Sequence, residues 1–457
     1  MGFKGGYTFK RFEGAAQPVL HETAVPNTVF LPFTCASLTF APAVKKGDPV
    51  RAGSRIMQTG NKNPFYMCSP VNGTVESVSG DGIGIAADGT GHFEPVEGHT
   101  RAPWHLDRSA VFNLFSSSGC SLLFDGLFLS PDECDSARDI IVNAVHNAPL
   151  NQSWNPSMAG DPFVFPNGLK TLKALFPEAS ITIALNKRNM QYFNTSMITN
   201  IASLKVVSDR YPQENPVLLS RDVLKKRLVS PEGACDDSVL VVPFFDVVQV
   251  AEIMTLGRPF IDRIMMIAGP GVSHPGWFRV RIGTPYEKIR RALLKTNDRG
   301  PWRMIRGGLF TGESIETESS SVRHTDTELT VIREREIREL YRFMRPGFVW
   351  DSYSKTTVAD YVPLLPKQLD TGIHGGERPC VQCNYCDEVC PVNIYPFLIW
   401  KYVQAGNIEE SFRFRPYDCI GCGLCDYVCP SKIPVSSAVI RAKEAYRDAR
   451  RADENAD

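Results

Sequence analysis

No stretch of the 457-residue sequence approaches the ~20 consecutive apolar residues that a membrane-spanning helix needs. Met1 to Arg11 lacks an apolar core of the kind that marks a secretory signal, so a secreted chain is not expected. No charge excess exists either: acidic and basic residues number 50 each. That balance gives no footing for nucleic acid as a partner and none for long-range attraction to anionic lipid. Without a secretion signal and with a long chain, a disulfide framework is also not expected.

Cysteine, by contrast, is abundant. Of 13, eight fall between Cys380 and Cys429. The other five, Cys35, Cys68, Cys120, Cys134 and Cys235, are scattered and read as buried small apolar residues. The clustered eight form two runs, "CVQCNYCDEVCP" and "CIGCGLCDYVCP". Both follow C-x2-C-x2-C-x3-C-P, the two-cluster ferredoxin spacing. Two-residue gaps wrap the backbone round a cubane corner, so that three thiolates converge and amide N–H groups point at sulfur. The fourth cysteine, with its proline, is expected to open a helix that leads away and to ligate the other cluster. Cluster one is assigned Cys380, Cys383, Cys386 and Cys429; cluster two Cys419, Cys422, Cys425 and Cys390. Zinc sites usually use two separated cysteine pairs rather than three in a row followed by Cys-Pro. Gly421 and Gly423 let the second loop come close to its cluster, where the first has Gln382, Asn384 and Tyr385.

The rest of the chain reads as multidomain α/β. Residues 1–26 form an irregular Gly-rich extension. Residues 27–100 read as short strands, with turns at Lys46-Gly47-Asp48 and Gly53 and a hairpin signal at Asn72-Gly73. They look like a biotinyl/lipoyl-type barrel-sandwich β domain. No lysine occupies that hairpin, so neither biotin nor lipoate is expected. Residues 101–245 alternate strands ("RDIIVNAV", "SITIALN", "SVLVVPF") with helical "GLKTLKALFP", which argues for a parallel sheet. Residues 246–350 begin with helix "DVVQVAEIMTLG" and continue as strands that suit a small β-grasp domain. Within them 313–328 reads as an exposed loop and "REREIREL" as a solvated helix face. Residues 351–379 read as a linker. Residues 380–457 form an α-helical two-cluster ferredoxin-like domain with a fraying tail, Trp400 and Tyr402 being core residues between the runs.

The cysteine region with its flanking "ERPC" and "CPSKIP", and the opening "FKGGYTF", resemble the C-type subunit of the Rnf electron-transport complex. Asp246 to Gly347, through "DVVQVAEIMTLGRPFIDRIMMIAGPGV", "VRIGTP", "IRGGLFTG" and "LTVIREREIRELYRFMRPG", resembles the A-type subunit of the Na+-translocating NADH:quinone reductase. Both families are similar to the NADH-oxidising flavoprotein subunit of complex I. The resemblance implies a Rossmann-like domain over 101–245 and a soluble-ligand-binding β-grasp domain over 246–350. It also implies a cytoplasmic place, peripheral on the inner face of the cell membrane, with membrane subunits of an Nqr/Rnf-like complex as partners. A soluble redox protein and a quinone remain open as further partners. The expected role is electron relay through two 4Fe–4S clusters. The alternative is an NADH dehydrogenase subunit whose Rossmann-like domain holds FMN.

Flavin-binding members carry acidic residues after the first strand and a Gly-rich "YPQGGEKQ"-like loop. Here "VNAVHNAPLNQ" has His146 and Asn147, and "RYPQENPVLL" has Glu214, Asn215 and Pro216. An added negative charge at Glu214 and a lost amide donor at Pro216 both disfavour a phosphate. His146 reads as a hydrogen-bonded structural residue, and "GPGVSHPG" around His274 as a turn.

Overall fold

The computed structural model describes residues 4–35, 38–60, 64–124, 134–151, 158, 160–193, 195–295, 300–315, 320–335, 351, 353, 366–372 and 376–454. Among them the chain is a mixed α/β, multidomain protein, with four sheets followed by a helical C-terminal part.

Two four-stranded antiparallel sheets come first. One orders Thr28–Pro32, Gly82–Ala87, Gly73–Ser79 and Pro49–Val50; the other Thr34–Cys35, Leu38–Pro42, Arg55–Thr59 and Tyr66–Cys68. Alternation puts Leu31, Ile56, Ile83 and Ile85 inside. Gly47 makes the expected turn at φ 93°, where Asp48 Oδ2 accepts from Lys45 N at 2.8 Å. Asn72-Gly73 is not a hairpin turn. Gly73 opens a strand and pairs with Val50 and Ala87, so close that a Cβ would stand 1.9 Å from Ala86 O. The Asn72 amide ties loops together, accepting from Ala52 N and donating to Thr90 Oγ1 and His92 O. The tight turn lies at Gly80-Asp81, inside the Ser79–Gly82 pair.

The next sheet is parallel throughout, ordered Ser203–Val207, Ser180–Asn186, Asp139–Ala144, Val239–Pro243. Its apolar, β-branched central strand is buried on both faces. Helices Val164–Leu175 and Phe244–Leu256 pack together at Gly168, where a Cβ would meet Val247 O at 2.3 Å.

Helix Phe244–Leu256 is buried almost along its whole length. Its polar residues are satisfied from the six-stranded sheet beyond it. Asp246 takes Arg263 at 2.6 Å, and Glu252 grips Arg279 with two bonds of 2.7 and 2.8 Å. That sheet runs Leu20–Glu22, Gly276–Arg281, Asp262–Ala268, Glu328–Arg333, Trp302–Arg306, Glu313–Ser314.

Several sequence expectations fail here, for tertiary reasons. The 1–26 extension is not merely irregular: Leu20–Glu22 is an edge strand of the six-stranded sheet. Residues 313–328 are not simply an exposed loop. Val322, His324 and Asp326 are buried, Asp326 accepting from Tyr286 OH at 2.6 Å and facing Arg306. In the expected linker, Asp351, Lys367 and Asp370 are buried, and Lys367 pairs by backbone with Arg11 and Glu13. Most of "REREIREL" lies outside the described residues. The tail is helical through Glu454, as part of Val435–Glu454.

Candidate metal centre

The C-terminal part is built twice, 39 residues apart. Short helices Tyr385–Glu388 and Leu424–Tyr427 follow the first two cysteines of each run, and longer helices Pro396–Gln404 and Val435–Glu454 follow the last. Left-handed backbone recurs at matching places. Gln382 has φ 55° and Gly421 66°, Asn384 59° and Gly423 72°, Asn393 53° and Lys432 58°. The first loop thus keeps the turns of the second without glycine, Asn being a residue that tolerates this region. Asp387 Oδ1 accepts from Phe397 N at 3.0 Å, and Asp426 Oδ1 from Ser436 N at 2.7 Å, each tying its loop to the following helix.

The expected helix at each Cys-Pro does not form. Pro391 and Pro430 lie in turns, because the chain must reverse at Asn393 and Lys432 before the long helices begin. Pro396, not Pro391, takes the first helical turn.

Cys380, Cys383, Cys386 and Cys429 line one small cavity of about 20 Å3. Its remaining wall is Val381, Phe397, Trp400, Ile433 and Val435 with a few neutral polar groups; no carboxylate or imidazole lines it among the described residues. Trp400, expected in the core, is half-buried on this wall, and Tyr402 is half-buried too. Cys390 stands within electrostatic reach of Cys419, Cys422 and Cys425.

Amides converge on the sulfurs. Gly421 N donates to Cys419 Sγ at 3.4 Å; Val392, Ile394 and Asn393 serve Cys390; Ile433 and Ser431 serve Cys429. Burial nonetheless dominates at several of these thiols and favours their protonated form, with Cys390 pushed up to about 11, Cys422 to about 12, and Cys386 and Cys425 well up. Ligation must therefore expel protons, which a cationic iron centre does. All-sulfur donors, amide donors and an apolar shell fit a pair of 4Fe–4S clusters.

The rest of the molecule holds the second loop. Tyr211 OH donates to Cys422 O at 2.8 Å. A Cβ on Gly423 would stand 2.9 Å from Phe310 Cβ, so glycine there serves contact with the six-stranded-sheet region. Phe9, Tyr211, Phe310 and Tyr427 form one aromatic cluster around it. Tyr7 OH and Tyr427 OH both donate to Asp351 Oδ2 at 2.9 Å. Gly6 N donates to Val389 O, and Gly5 lies against Cys390, where a Cβ would be 2.4 Å from its carbonyl oxygen. Sequence reasoning did not give these clamps a role; the "GGY" near the start was the available signal.

A separate cavity of about 140 Å3 sits at the carboxyl end of the parallel sheet, lined by Asn143, His146, Glu214, Phe245, Trp277 and Glu328 among others. It falls below the ~300 Å3 where cofactor pockets begin. His146 Nδ1 meets Asn151 Nδ2 at 3.0 Å, and burial drives the imidazole down to about 3. Burial pushes Glu214 up to about 8, so it adds a neutral acid at pH 7 and not the negative charge expected from sequence. Pro216 opens a short helix capped by Asn215, whose Oδ1 accepts from Val217 N at 3.0 Å. Of the scattered cysteines, Cys35, Cys68, Cys120 and Cys134 are buried, but Cys235 is exposed.

Residues 379–433 match the 4Fe-4S dicluster domain family, a span that includes all eight clustered cysteines. The chain is similar to the A-type subunit of the Na(+)-translocating NADH-quinone reductase of Yersinia pseudotuberculosis, 22% identical over 407 residues and 86% of each chain. Its counterpart from Photorhabdus laumondii is 25% identical over 385 residues, covering 80% of this chain and 81% of that one. A NAD+-reducing [NiFe]-hydrogenase in the H2-reduced state aligns loosely, with TM-score 0.41 and 12% identity over 77% of this chain and 65% of that one. Among the described residues no helix is long and apolar enough to cross a membrane.

Proposed function

We propose that this chain is an electron-relay subunit of an Nqr/Rnf-like oxidoreductase complex, with cluster one on Cys380, Cys383, Cys386 and Cys429 and cluster two on Cys419, Cys422, Cys425 and Cys390. The carrying observation is that Cys429 faces the cavity of the first run while Cys390 stands beside the second. When bound, the clusters supply one-electron oxidation and reduction. The chain's own residues hold them. Amides from Gly421, Val392 and Ser431 steady negative sulfur, and Phe397, Trp400 and Ile433 keep water from the first site. Tyr211 fixes the second loop to the parallel-sheet region.

In this reading 27–100 is a barrel-sandwich scaffold, 101–245 a Rossmann-like domain without its own nucleotide chemistry, and 246–350 a β-grasp domain. The small cavity beside Glu214 supports relay over flavin catalysis. The partners are membrane subunits of the complex, and the chain sits peripherally on the inner face of the membrane.

Anaerobically purified protein tests this. It should hold about eight irons per chain without flavin, in clusters that bleach on reduction. Cys380→Ser with Cys429→Ser should leave about four irons, whereas Cys380→Ser with Cys390→Ser should leave almost none. Equal loss in the two double variants sinks the crossed assignment; stoichiometric flavin sinks the relay reading.

A further inference from the structure

A cavity of about 450 Å3 opens where the segment after strand Ser203–Val207 meets the C-terminal helices. It is of ordinary ligand-pocket size. One wall carries Arg221, Lys225, Lys226 and Arg227; the other carries Arg415, Lys443 and Arg447. Val217, Leu218, Tyr417 and Ile420 provide apolar surface between them.

Five carboxylates answer these seven cations, three in ion pairs and two, Asp236 and Glu232, through space on Lys226 and Arg227. Asp222 pairs with Arg221 at 2.8 Å, Asp139 with Lys226 at 2.8 Å, and Asp418 with both Arg227 and Arg415. Among the described residues no carboxylate makes an ion pair with Lys225, Lys443 or Arg447. Lys443 Nζ donates to Cys419 O at 2.5 Å, and Arg447 Nε is buried with no hydrogen-bond partner. So many like charges round a concave surface repel one another, and an anion relieves that repulsion.

We infer that this cavity binds a phosphate-bearing ligand of nucleotide size, its anionic end met by Lys225, Lys443 and Arg447 and its planar part by the apolar surface. Arg and Lys suit phosphate as fork and point charge respectively. A concave pocket with apolar surface between its cationic walls favours a small molecule over the broad face of an acidic protein. The inference does not depend on the proposed clusters, although Cys419 borders the cavity.

Calorimetry on the full-length, iron-loaded protein tests it, with ADP, inorganic pyrophosphate and adenosine as probes and iron measured in each sample. ADP and pyrophosphate should bind, and adenosine at least ~10-fold more weakly than ADP. Lys225→Asn, which tolerates the left-handed backbone at φ 62°, and Arg447→Gln should each weaken ADP about 10-fold. Exposed Lys46 lies in the first domain, and Lys46→Asn should leave ADP affinity unchanged. Failure of ADP to bind, equal binding of adenosine, or equal weakening by Lys46→Asn overturns the inference. So does binding of an acidic electron-carrier protein to the cavity in place of ADP. Iron loss with ADP affinity intact bears on the cluster proposal alone.

Discussion

Glu214 shows how far burial changes a residue's meaning. The sequence presents a carboxylate where relatives of the flavin-binding type have glycine, and a negative charge is the natural reading. In the fold the group is enclosed near Glu328 and keeps its proton to about 8, against an ordinary 4.5. The folded state therefore binds more protons than the unfolded one across that window, so stability falls as pH rises from 4.5 towards 8. Glu214→Gln should remove this slope. Its urea midpoint should gain on the wild type steadily between those limits; parallel curves would contradict the protonated assignment. Such a state was invisible in the sequence because desolvation depends on the whole fold. The two cysteine runs, which lie in the span matched by the 4Fe-4S dicluster family, were legible for the opposite reason. Their spacing is local, and their chemistry needs only the neighbouring run.

Single elements carry the next lessons. Asn72-Gly73 has the letters of a hairpin turn, yet pairing with Val50 and Ala87 makes Gly73 a strand residue and moves the turn to Gly80-Asp81. Three strands of the parallel sheet and helix Phe244–Leu256 were legible because their periodicity and length needed no distant partner, whereas the edge strand Ser203–Val207 was missed. In the duplicated loops, Gly421 and Gly423 look equivalent in sequence but differ in surroundings. Gly421→Ala meets no atom within 4 Å and should cost about 1 kcal/mol of backbone strain. Gly423→Ala also strikes Phe310 and should cost about 1–3 kcal/mol more. Thermal midpoints under anaerobic conditions measure the difference. Asp426→Ala should cost about 0.5–2 kcal/mol by freeing the start of helix Val435–Glu454, read as faster amide exchange at Ser436.

For the molecule as a whole, the main misreading concerned what lies between domains. Residues 1–26 and 351–379 lack strong periodicity, so sequence reasoning took them as extension and linker. Described residues of both are packed: Leu20–Glu22 completes a sheet beside Gly276–Arg281, and Asp351 is shared by Tyr7 and Tyr427. Partners hundreds of residues apart leave no local trace. Tyr7→Phe should cost about 1–3 kcal/mol by withdrawing one donor from buried Asp351. Amide exchange should quicken around Val389 and Tyr427 more than in the two antiparallel sheets. Uniform exchange would mean that Asp351 does not join the N-terminal segment to the cysteine region.

The meeting of Cys429 with Cys380, Cys383 and Cys386 also sets a schedule for biosynthesis. On the ribosome the first three thiols emerge well before their fourth companion. A chain stalled between Cys386 and Cys429 displays an open trio, ready for stray metal or oxidation, and lacks Ile433 and Val435 from its wall.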